Sequence, residues 1–141
     1  MKNFPNAEKT LKSFIFRMNK WEKYFGELIK DKEGITSKEE DETMKKELEI
    51  IFSLFLTDRN RKYSRLQSMG AMVPPEYGEN EEILDIRYIN KNEKRASIIT
   101  LGDNPFKEKN RYTLKLCENG WRIDKKERFD EYEKKWKKAI I

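Results

Sequence analysis

The sequence predicts an α+β protein in which amphipathic helices come first and an antiparallel sheet follows. Through about the first 56 residues, apolar side chains recur every three or four positions, the period of a helix with one buried face. From about residue 82 the period becomes two, as in strands that bury one face. Between these halves, Pro74, Pro75 and Gly78 are incompatible with a helix and with a central strand.

The first helix is predicted over about residues 7–31. Asn6 is placed to cap its start, and Gly34 lies where such a helix should end. Its apolar stripe consists of Leu11, Phe14, Ile15, Met18, Trp21, Phe25, Leu28 and Ile29. Core packing is the expected role of this stripe, although its aromatic members could also line a ligand pocket.

The second helix is predicted to begin near Thr36 and Ser37 and to run to about Leu56. Each of the first two residues is followed three positions later by a glutamate, Glu39 or Glu40, which is the spacing of a capping box. In such a box the two side chains satisfy backbone amides that have no partner inside the helix. The signal therefore fixes the start of this helix more firmly than its apolar residues do.

Two shorter helices are predicted where the apolar pattern is weaker. One covers residues 58–69 and is ended by Gly70. The other lies in the tail, residues 130–141, where Tyr132 and Trp136 are four positions apart among lysines and glutamates. This last segment is expected to dock at an edge of the sheet.

About four strands are predicted in the second half of the chain. The first covers residues 82–90, with Leu84, Ile86 and Tyr88 on one face, and the second covers Arg95–Leu101. The last two, 111–117 and 121–127, are expected to form a hairpin.

The hairpin contains the sharpest local signal in the sequence. Asn119-Gly120 is the pair preferred in two-residue type I′ turns, because both positions need positive φ. With this pair at the tip, residues of matching character face each other: Leu116 with Ile123, and Lys115 with Asp124. The predicted buried face consists of Tyr112, Leu114, Leu116 and Ile123. The predicted exposed face consists of Arg111, Thr113, Lys115, Arg122, Asp124 and Lys126.

Charge is distributed unevenly along the chain. Residues 1–57 contain 11 basic and 11 acidic residues, so residues 58–141 contain 20 and 15 and hold the whole excess of +5. A basic half of this kind favours an acidic partner through electrostatic steering. Nucleic acid is an unfavoured partner, because acidic residues are interleaved nearly everywhere and basic arms come in blocks. The basic cluster Arg61–Arg65 is accordingly expected to be an ordinary solvated face.

Composition also bears on the compartment. No apolar run approaches the roughly 18 residues that a membrane helix needs, so no membrane partner is expected. The chain has one cysteine, Cys117, which cannot form an internal disulfide and fits a reducing compartment. A cytoplasmic protein is the expectation.

The order of elements predicts a particular α+β architecture. Two to three N-terminal helices and about four antiparallel strands predict helices packed on one face of a curved sheet. A long first helix lying in such a sheet is the arrangement of the cone-shaped, nuclear-transport-factor-two-like (cystatin-like) fold. We expect one domain over residues 1–141, with a helical half at about 1–70, a sheet half at about 75–128 and a tail at 129–141.

Catalytic patterns are absent from the sequence. There is no histidine, which removes the commonest general base and most zinc sites. No glycine-rich loop precedes a helix, so nucleotide motifs are missing as well. Cone-fold isomerases use an acid and a tyrosine, which Asp85 with Tyr88 or Tyr112 could imitate, but strand alternation puts Asp85 on the face opposite Tyr88. The sequence therefore predicts no enzyme, no cofactor and no metal.

Particular stretches of the sequence resemble a known family. They lie in the first helix, before the sheet and at the C-terminal end: Phe14, Met18 and Trp21-Glu22; Pro74–Tyr77; Arg111–Leu114, Gly120–Glu127, Tyr132 and Trp136. Together they resemble the nuclear-transport-factor-two-fold immunity proteins of bacterial polymorphic toxin systems. The resemblance implies a non-enzymatic antidote that binds a cognate toxin domain and blocks it, in the cytoplasm of the producing cell.

The exposed side of the predicted hairpin and the loop before the sheet are the predicted partner-binding surface. Tyr77, in a proline-stiffened loop, would be a rigid anchor, although it could equally close the cone. The partner-binding candidates are Glu76, Tyr77, Arg111, Lys115, Arg122 and Lys126. The alternative function is a small-ligand-binding or ketosteroid-isomerase-like cavity protein, with Trp21, Tyr88 and Tyr112 as cavity-lining candidates. A homodimer through the sheet is a further expectation, since cone-fold relatives often pair in that way.

Overall fold

The computed structural model describes residues 6–59, 76–89, 94–103 and 107–141. In these residues two helices, α1 (Ala7–Asp31) and α2 (Lys38–Phe55), precede five strands. The strands are β1 (Glu82–Tyr88), β2 (Arg95–Leu101), β3 (Lys109–Cys117), β4 (Gly120–Asp130) and β5 (Lys135–Lys138). The predicted α+β order is confirmed. Most of the predicted helix at 58–69, the cluster Arg61–Arg65, Pro74 and Pro75 lie outside the described residues.

Both helices begin and end as their sequences predict. At the start of α1 the Asn6 side chain accepts the Lys9 amide at 2.8 Å. Gly34, with φ at 84°, follows the last turn and donates its amide to the carbonyl of Ile29 at 2.8 Å. At the start of α2 the capping box is complete: Ser37 accepts the Glu40 amide at 3.1 Å, and the Glu40 side chain accepts the Ser37 amide at 2.9 Å.

The hydrophobic core lies between the two helices and one face of the sheet. This helix-facing side is called the inner face, and the opposite side the outer face. The core side chains include Leu11, Phe14, Met18, Leu48, Ile51, Ile98, Tyr112, Leu114 and Ile123. After α2 the chain runs beside β4, where the Thr57 amide donates to the carbonyl of Ile123 at 2.9 Å. The end of α2 is thereby tied directly to the sheet.

The sheet is an antiparallel meander with the strand order β1-β2-β3-β4-β5. Its hairpin between β3 and β4 has a different register from the predicted one. Cys117 pairs with Gly120, so the tip is Glu118-Asn119. Of residues 117–120, only Gly120 has positive φ, at 110°. That geometry suits a turn followed by a glycine bulge, whereas a type I′ turn needs two positive φ values. The predicted pairs were therefore wrong: Leu116 lies opposite Trp121, and Lys115 lies opposite Arg122.

A β-bulge in β4 changes which side chains face inward. Leu114 pairs with Ile123, but Thr113 pairs with Lys125, so Asp124 is the extra residue. Beyond it, Lys126 pairs with the inward-facing Tyr112. The prediction that Lys126 lies on the exposed face was wrong, because one inserted residue reverses the alternation.

A second bulge lies in β1. Ile83 pairs with Thr100 and Asp85 pairs with Ile99, which leaves Leu84 as the extra residue. Ile83 packs against the core, and Leu84 is 46% exposed. Leu84 was predicted to share the face of Ile86 and does not.

The C-terminal tail forms a strand, so its prediction as a helix was wrong. Asp130 accepts the amides of Tyr132 at 2.8 Å and of Glu133 at 3.0 Å, and Lys134 has φ at 56°. These features form a tight turn, which returns the chain antiparallel to β4. As a result the Trp136 ring lies 5.3 Å from the Phe129 ring on the outer face.

The tail turn leads to a prediction about pH. Amide hydrogen bonds from Glu133 and Tyr132, together with the Lys137 ammonium, lower the pKa of Asp130 from 3.8 to about 2. Because this pKa is lower in the folded state, the carboxylate stabilises the turn above about pH 4, and the effect is lost as the pH falls towards 2. In an NMR titration we expect the Asp130 carboxyl and the Tyr132 amide to titrate together near pH 2. A midpoint near 3.8 would show that the turn does not hold this carboxylate.

Candidate functional site

Residues 76–81, called the 76–81 loop, are held against α1 by two buried polar side chains. The Glu22 carboxylate accepts the backbone amides of Glu76 at 3.1 Å and Tyr77 at 2.9 Å. The Asn19 side-chain amide donates to the carbonyl oxygen of Tyr77 at 2.7 Å. Buried polar groups need hydrogen-bond partners, and these bonds explain why α1 carries Asn19 and Glu22 at buried positions.

Gly78 lets the same loop approach Asp103, which follows β2. A Cβ atom at Gly78 would lie 1.3 Å from Asp103 Oδ1, so glycine lets the Asp103 side chain keep this position. Asp103 Oδ2 accepts the amide of Asn80 at 2.9 Å. The 76–81 loop is therefore fixed to the sheet side of the molecule as well as to α1.

Tyr77 lies inside the protein, with only 1% of its surface exposed. Its ring is 5.5 Å from the ring of Phe14, in an edge-to-face arrangement. On another side, the Lys126 ammonium lies 4.3 Å from the ring centroid. Burial of this kind corrects the prediction of an exposed anchor and supports the alternative, in which Tyr77 closes the interior.

Lys126 is the most deeply buried charge of the sheet, with a side chain 1% exposed. Its ammonium group is 3.5 Å from the Glu76 carboxylate and 5.7 Å from the centroid of the Tyr112 ring. A buried ammonium is costly unless it is paired. Here the Glu76 carboxylate and the faces of the Tyr77 and Tyr112 rings surround the ammonium group. Lys126 thereby joins β4 to the 76–81 loop.

Further polar groups continue this buried cluster. Arg128 donates to Glu76 and lies 3.1 Å from Glu108. Burial alone would lower the pKa of Arg128, but hydrogen bonding to Glu76 raises that pKa above its usual value. Burial raises the pKa of Glu81 above its usual value, although the Thr100 hydroxyl, donating at 2.6 Å, acts in the opposite direction.

Tyr112 has a buried hydroxyl without a hydrogen-bond partner in the described part of the chain. Burial and, to a lesser extent, the negative charge of Glu81 raise the pKa of Tyr112 well above 10, so the phenol stays neutral. An isomerase-like pair would need a carboxylate acting with this tyrosine. Asp85 cannot supply it, because Asp85 lies on the outer face with Arg87 at 2.9 Å. Asp85 thus lies on the face opposite Tyr88 and Tyr112, as strand alternation predicted.

The three cavity-lining candidates lie in different places. Trp21 lines a cleft of about 350 Å³ between the helices, where its indole N–H donates to the carbonyl of Met44 at 3.1 Å. Tyr88 is 46% exposed on β1, with its ring 5.9 Å from that of Trp121. Tyr112 belongs to the buried polar cluster described above. The structure does not bring Trp21, Tyr88 and Tyr112 together around one cavity.

The outer face is organised as four rows of side chains that cross the strands. From one end to the other the rows are Arg95–Lys115–Arg122, Arg87–Ser97–Thr113–Lys125, Asp85–Ile99–Arg111–Glu127–Lys138 and Glu82–Leu101–Lys109–Phe129–Trp136. Basic residues outnumber acidic ones, and apolar residues occupy two of the rows. Three partner-binding candidates, Arg111, Lys115 and Arg122, share this face.

Arg111 contacts both Glu127 and Trp136 on the outer face. The Arg111 guanidinium makes two hydrogen bonds to the Glu127 carboxylate, at 3.0 and 3.1 Å. It also lies 4.5 Å from the centroid of the Trp136 ring. The ring in turn contacts Phe129 edge to face. Arg111 is thus held in one orientation, which the sequence did not indicate.

Lys115 and Arg122 are directly opposite each other on β3 and β4. The Lys115 ammonium is 3.5 Å from Asp124, and Arg122 donates to the carbonyl oxygen of Ser53 at the end of α2. Burial alone would raise the pKa of Asp124, but the Thr57 hydroxyl, 2.8 Å away, and nearby cations lower it below its ordinary value. The carboxylate therefore stays ionised and offsets part of the local positive charge.

The partner-binding candidates fall into two groups on opposite sides of the sheet. Glu76, Tyr77 and Lys126 belong to the buried cluster, whereas Arg111, Lys115 and Arg122 lie on the outer face. The buried positions of Asn19 and Glu22 were not predicted from the sequence. Each residue lies next to a member of the apolar stripe, and this placement was a signal of burial. The outer-face position of Trp136 was also missed, because its spacing from Tyr132 was interpreted as helical.

Comparisons with known proteins identify the family. The NTF2 (nuclear transport factor two) fold immunity protein family matches residues 6–140. The chain is 44% identical over 136 residues to the immunity protein RhsIA of Dickeya dadantii (strain 3937), covering 96% of each chain. No solved structure matches the chain significantly. Neither described helix is long and apolar enough to cross a membrane. The two helices on an antiparallel sheet agree with the predicted fold, and the chain belongs to the NTF2 fold immunity protein family, whose members are non-catalytic.

Proposed function

We propose that this protein neutralises a cognate toxin domain by binding it, in the cytoplasm of the cell that produces both. The observation that carries the proposal is the family match, which extends from residue 6 to residue 140 and so includes both helices and all five described strands. The similarity to an immunity protein over 96% of each chain supports the same conclusion. A function that depends on the whole fold is favoured over one confined to a short motif.

Neutralisation by occupancy fits the chemistry of the molecule. Tyr77 and Lys126, in the buried polar cluster, are 1% and 2% exposed, so these two side chains are not available to a substrate. The exposed outer face instead carries side chains suited to contact with another protein, among them Arg111, Lys115 and Arg122. We infer that these residues contact the toxin, and that Glu76, Tyr77 and Lys126 support the surface from inside.

The proposal is tested by co-expression and by purification. The toxin domain encoded next to this gene is expressed in a susceptible host with and without this protein, and the two chains are then co-purified. We expect growth only when both are present, and a stable complex of the two chains. Toxicity that persists at full expression of this protein, without a complex, would refute the proposed function.

Electrostatic steering leads to a prediction about salt. The chain has a net charge of +5, and basic residues outnumber acidic ones on the outer face of the sheet, so we expect a fast association rate with an acidic toxin surface. Raising the ionic strength from about 0.01 to about 0.15 M shortens the Debye length from about 30 to about 8 Å and should lower this rate by about tenfold. Stopped-flow or biosensor kinetics measure the rate. If salt changed only the dissociation rate and left the association rate unchanged, that result would contradict electrostatic steering.

A second candidate function is the binding of a small apolar ligand. It is favoured by one observation, an open cleft of about 670 Å³ beside α1, whose lining combines apolar residues such as Phe16, Phe55 and Ile83 with charged ones such as Arg17 and Glu81. None of the predicted cavity-lining residues borders this cleft. Displacement of a bound fluorescent apolar probe by cell extract would support ligand binding in this cleft. Self-association through the sheet stays a separate prediction, which light scattering of the purified chain would test.

A further inference from the structure

We propose that the outer face of the sheet is the toxin-binding surface and that it fits an acidic patch on the toxin domain. This inference rests on the proposed function and specifies where the partner binds. Two features of the outer face support it: cations without carboxylate partners and a pre-oriented Arg–Trp contact. In addition, the helices show no comparable charge excess.

Each row of the outer face contributes at least one cation that has no carboxylate within ion-pair distance in the described residues. These cations are Arg95, Lys125, Lys138 and Lys109, taken in row order. They belong to four different strands, so the uncompensated charge is spread across the sheet. In the unbound protein, solvent hydrates all of these cationic groups. An acidic partner surface would provide them with carboxylates, whereas a neutral surface would only desolvate them.

The Arg111–Trp136 contact gives this charged surface a suitable centre. Tryptophan and arginine are the residues most often found to dominate binding energy at protein interfaces. Arg111 is held by both oxygens of Glu127 and by the Trp136 ring, so little side-chain freedom remains to be lost on binding. Ile99 and Leu101, half-buried beside this contact, supply apolar area. A rigid aromatic and apolar centre with a charged surround is the usual anatomy of an interface.

The helical side of the protein lacks these properties. Residues 1–57 contain equal numbers of acidic and basic residues, and several of their charges are already paired. Lys12 lies 3.1 Å from Glu8, and Lys32 lies 3.4 Å from Glu40. Exposed pairs of this kind give little reason for a partner to approach. The outer-face rows instead contain eight basic and three acidic residues, so the excess positive charge marks that face of the sheet.

A protein partner is favoured over nucleic acid by the detail of the same surface. Base stacking needs a free aromatic face, but one face of the Trp136 ring is covered by Arg111. The Glu127 carboxylate, at the centre of the face, would also repel a phosphate backbone. A second copy of this chain is disfavoured as well, because a two-fold interface would bring two surfaces of the same positive sign together.

The experiment uses two charge reversals on the outer face and one matched control. Lys125→Glu and Lys138→Glu each change one uncompensated outer-face lysine, and Lys46→Glu makes the same change on the exposed side of α2. Affinity for the purified cognate toxin domain is measured for each full-length variant, together with affinity for a DNA duplex of unrelated sequence. Light scattering reports the oligomeric state of each variant, and thermal melting checks that each is folded.

We expect each outer-face reversal to weaken toxin binding by about tenfold or more, and Lys46→Glu to leave it unchanged. Equal toxin affinities for all variants would overturn the proposed surface and leave the immunity function intact. Variants that lose duplex binding but keep toxin binding would overturn the proposed surface in favour of a nucleic-acid partner. Variants that lose only self-association would overturn it in favour of a second copy of this chain. If the wild-type protein does not bind the toxin at all, the proposed function itself fails.

Discussion

Replacing Lys126 by alanine is expected to lower the free energy of unfolding by about 3 kcal/mol, near the lower end of the range for breaking a buried ion pair. The change leaves Glu76 buried with only part of its compensation, since Arg128 remains. It also removes the cation from the face of Tyr77, 4.3 Å away. The ties between β4 and the 76–81 loop would then be weakened.

Lys125→Ala is the matched control for this experiment. Lys125 is the neighbouring residue on the same strand, is exposed, and has no ion-pair partner in the described residues. Urea unfolding followed by tryptophan fluorescence should show a clear fall in midpoint for the Lys126 variant only. Equal midpoints for the two variants would show that the buried cluster does not stabilise the fold.

Replacing Phe14 by alanine is the second change with a large expected effect, about 3–5 kcal/mol. Phe14 is fully buried, and its ring contacts Tyr77 at 5.5 Å and Phe55 at 6.0 Å. Truncation leaves a cavity where α1, the end of α2 and the 76–81 loop meet. Phe16, two residues along the same helix, is 52% exposed, and Phe16→Ala should cost far less. Thermal and urea unfolding of both variants compare them, and similar losses would place α1 in a different orientation.

The helices could be predicted because their signals are local. A stripe at helical spacing and the capping residues Asn6, Ser37 and Glu40 involve only contacts within a few positions. The same holds for the existence of the strands, which follows from their alternation. These signals do not depend on distant parts of the chain, so tertiary structure had little opportunity to override them.

The orientation of side chains across the sheet could not be predicted in the same way. The bulges at Leu84 and Asp124 each insert one residue, and every side chain beyond them changes face. No pattern of types around Asp124 distinguishes a bulge from plain alternation. The tail failed for a related reason: the turn after Asp130 depends on backbone hydrogen bonds to its side chain, whereas the residue types alone suited a helix.

The candidate site was therefore predicted in part. The outer-face placement of Arg111, Lys115 and Arg122 survived the register error, because Arg111 and Lys115 lie on β3, which has no inserted residue, and Arg122 precedes the bulge in β4. Lys126 lies beyond it and turned inward. Tyr77 was predicted as an interface anchor or as a residue that closes the cone, and its burial depends on Asn19 and Glu22, which are more than fifty residues away in sequence. Contacts over such separations leave no local trace.

Neutralisation by stoichiometric binding can be measured by titrating this protein into a fixed amount of active cognate toxin domain and following the remaining toxin activity. We expect a linear fall that reaches zero at a fixed molar ratio, near one to one, with a complex of that composition in light scattering. Continued loss of activity at a small fraction of an equivalent would indicate catalytic destruction of the toxin. That result, or full toxin activity at excess protein, would rule out neutralisation by stoichiometric binding.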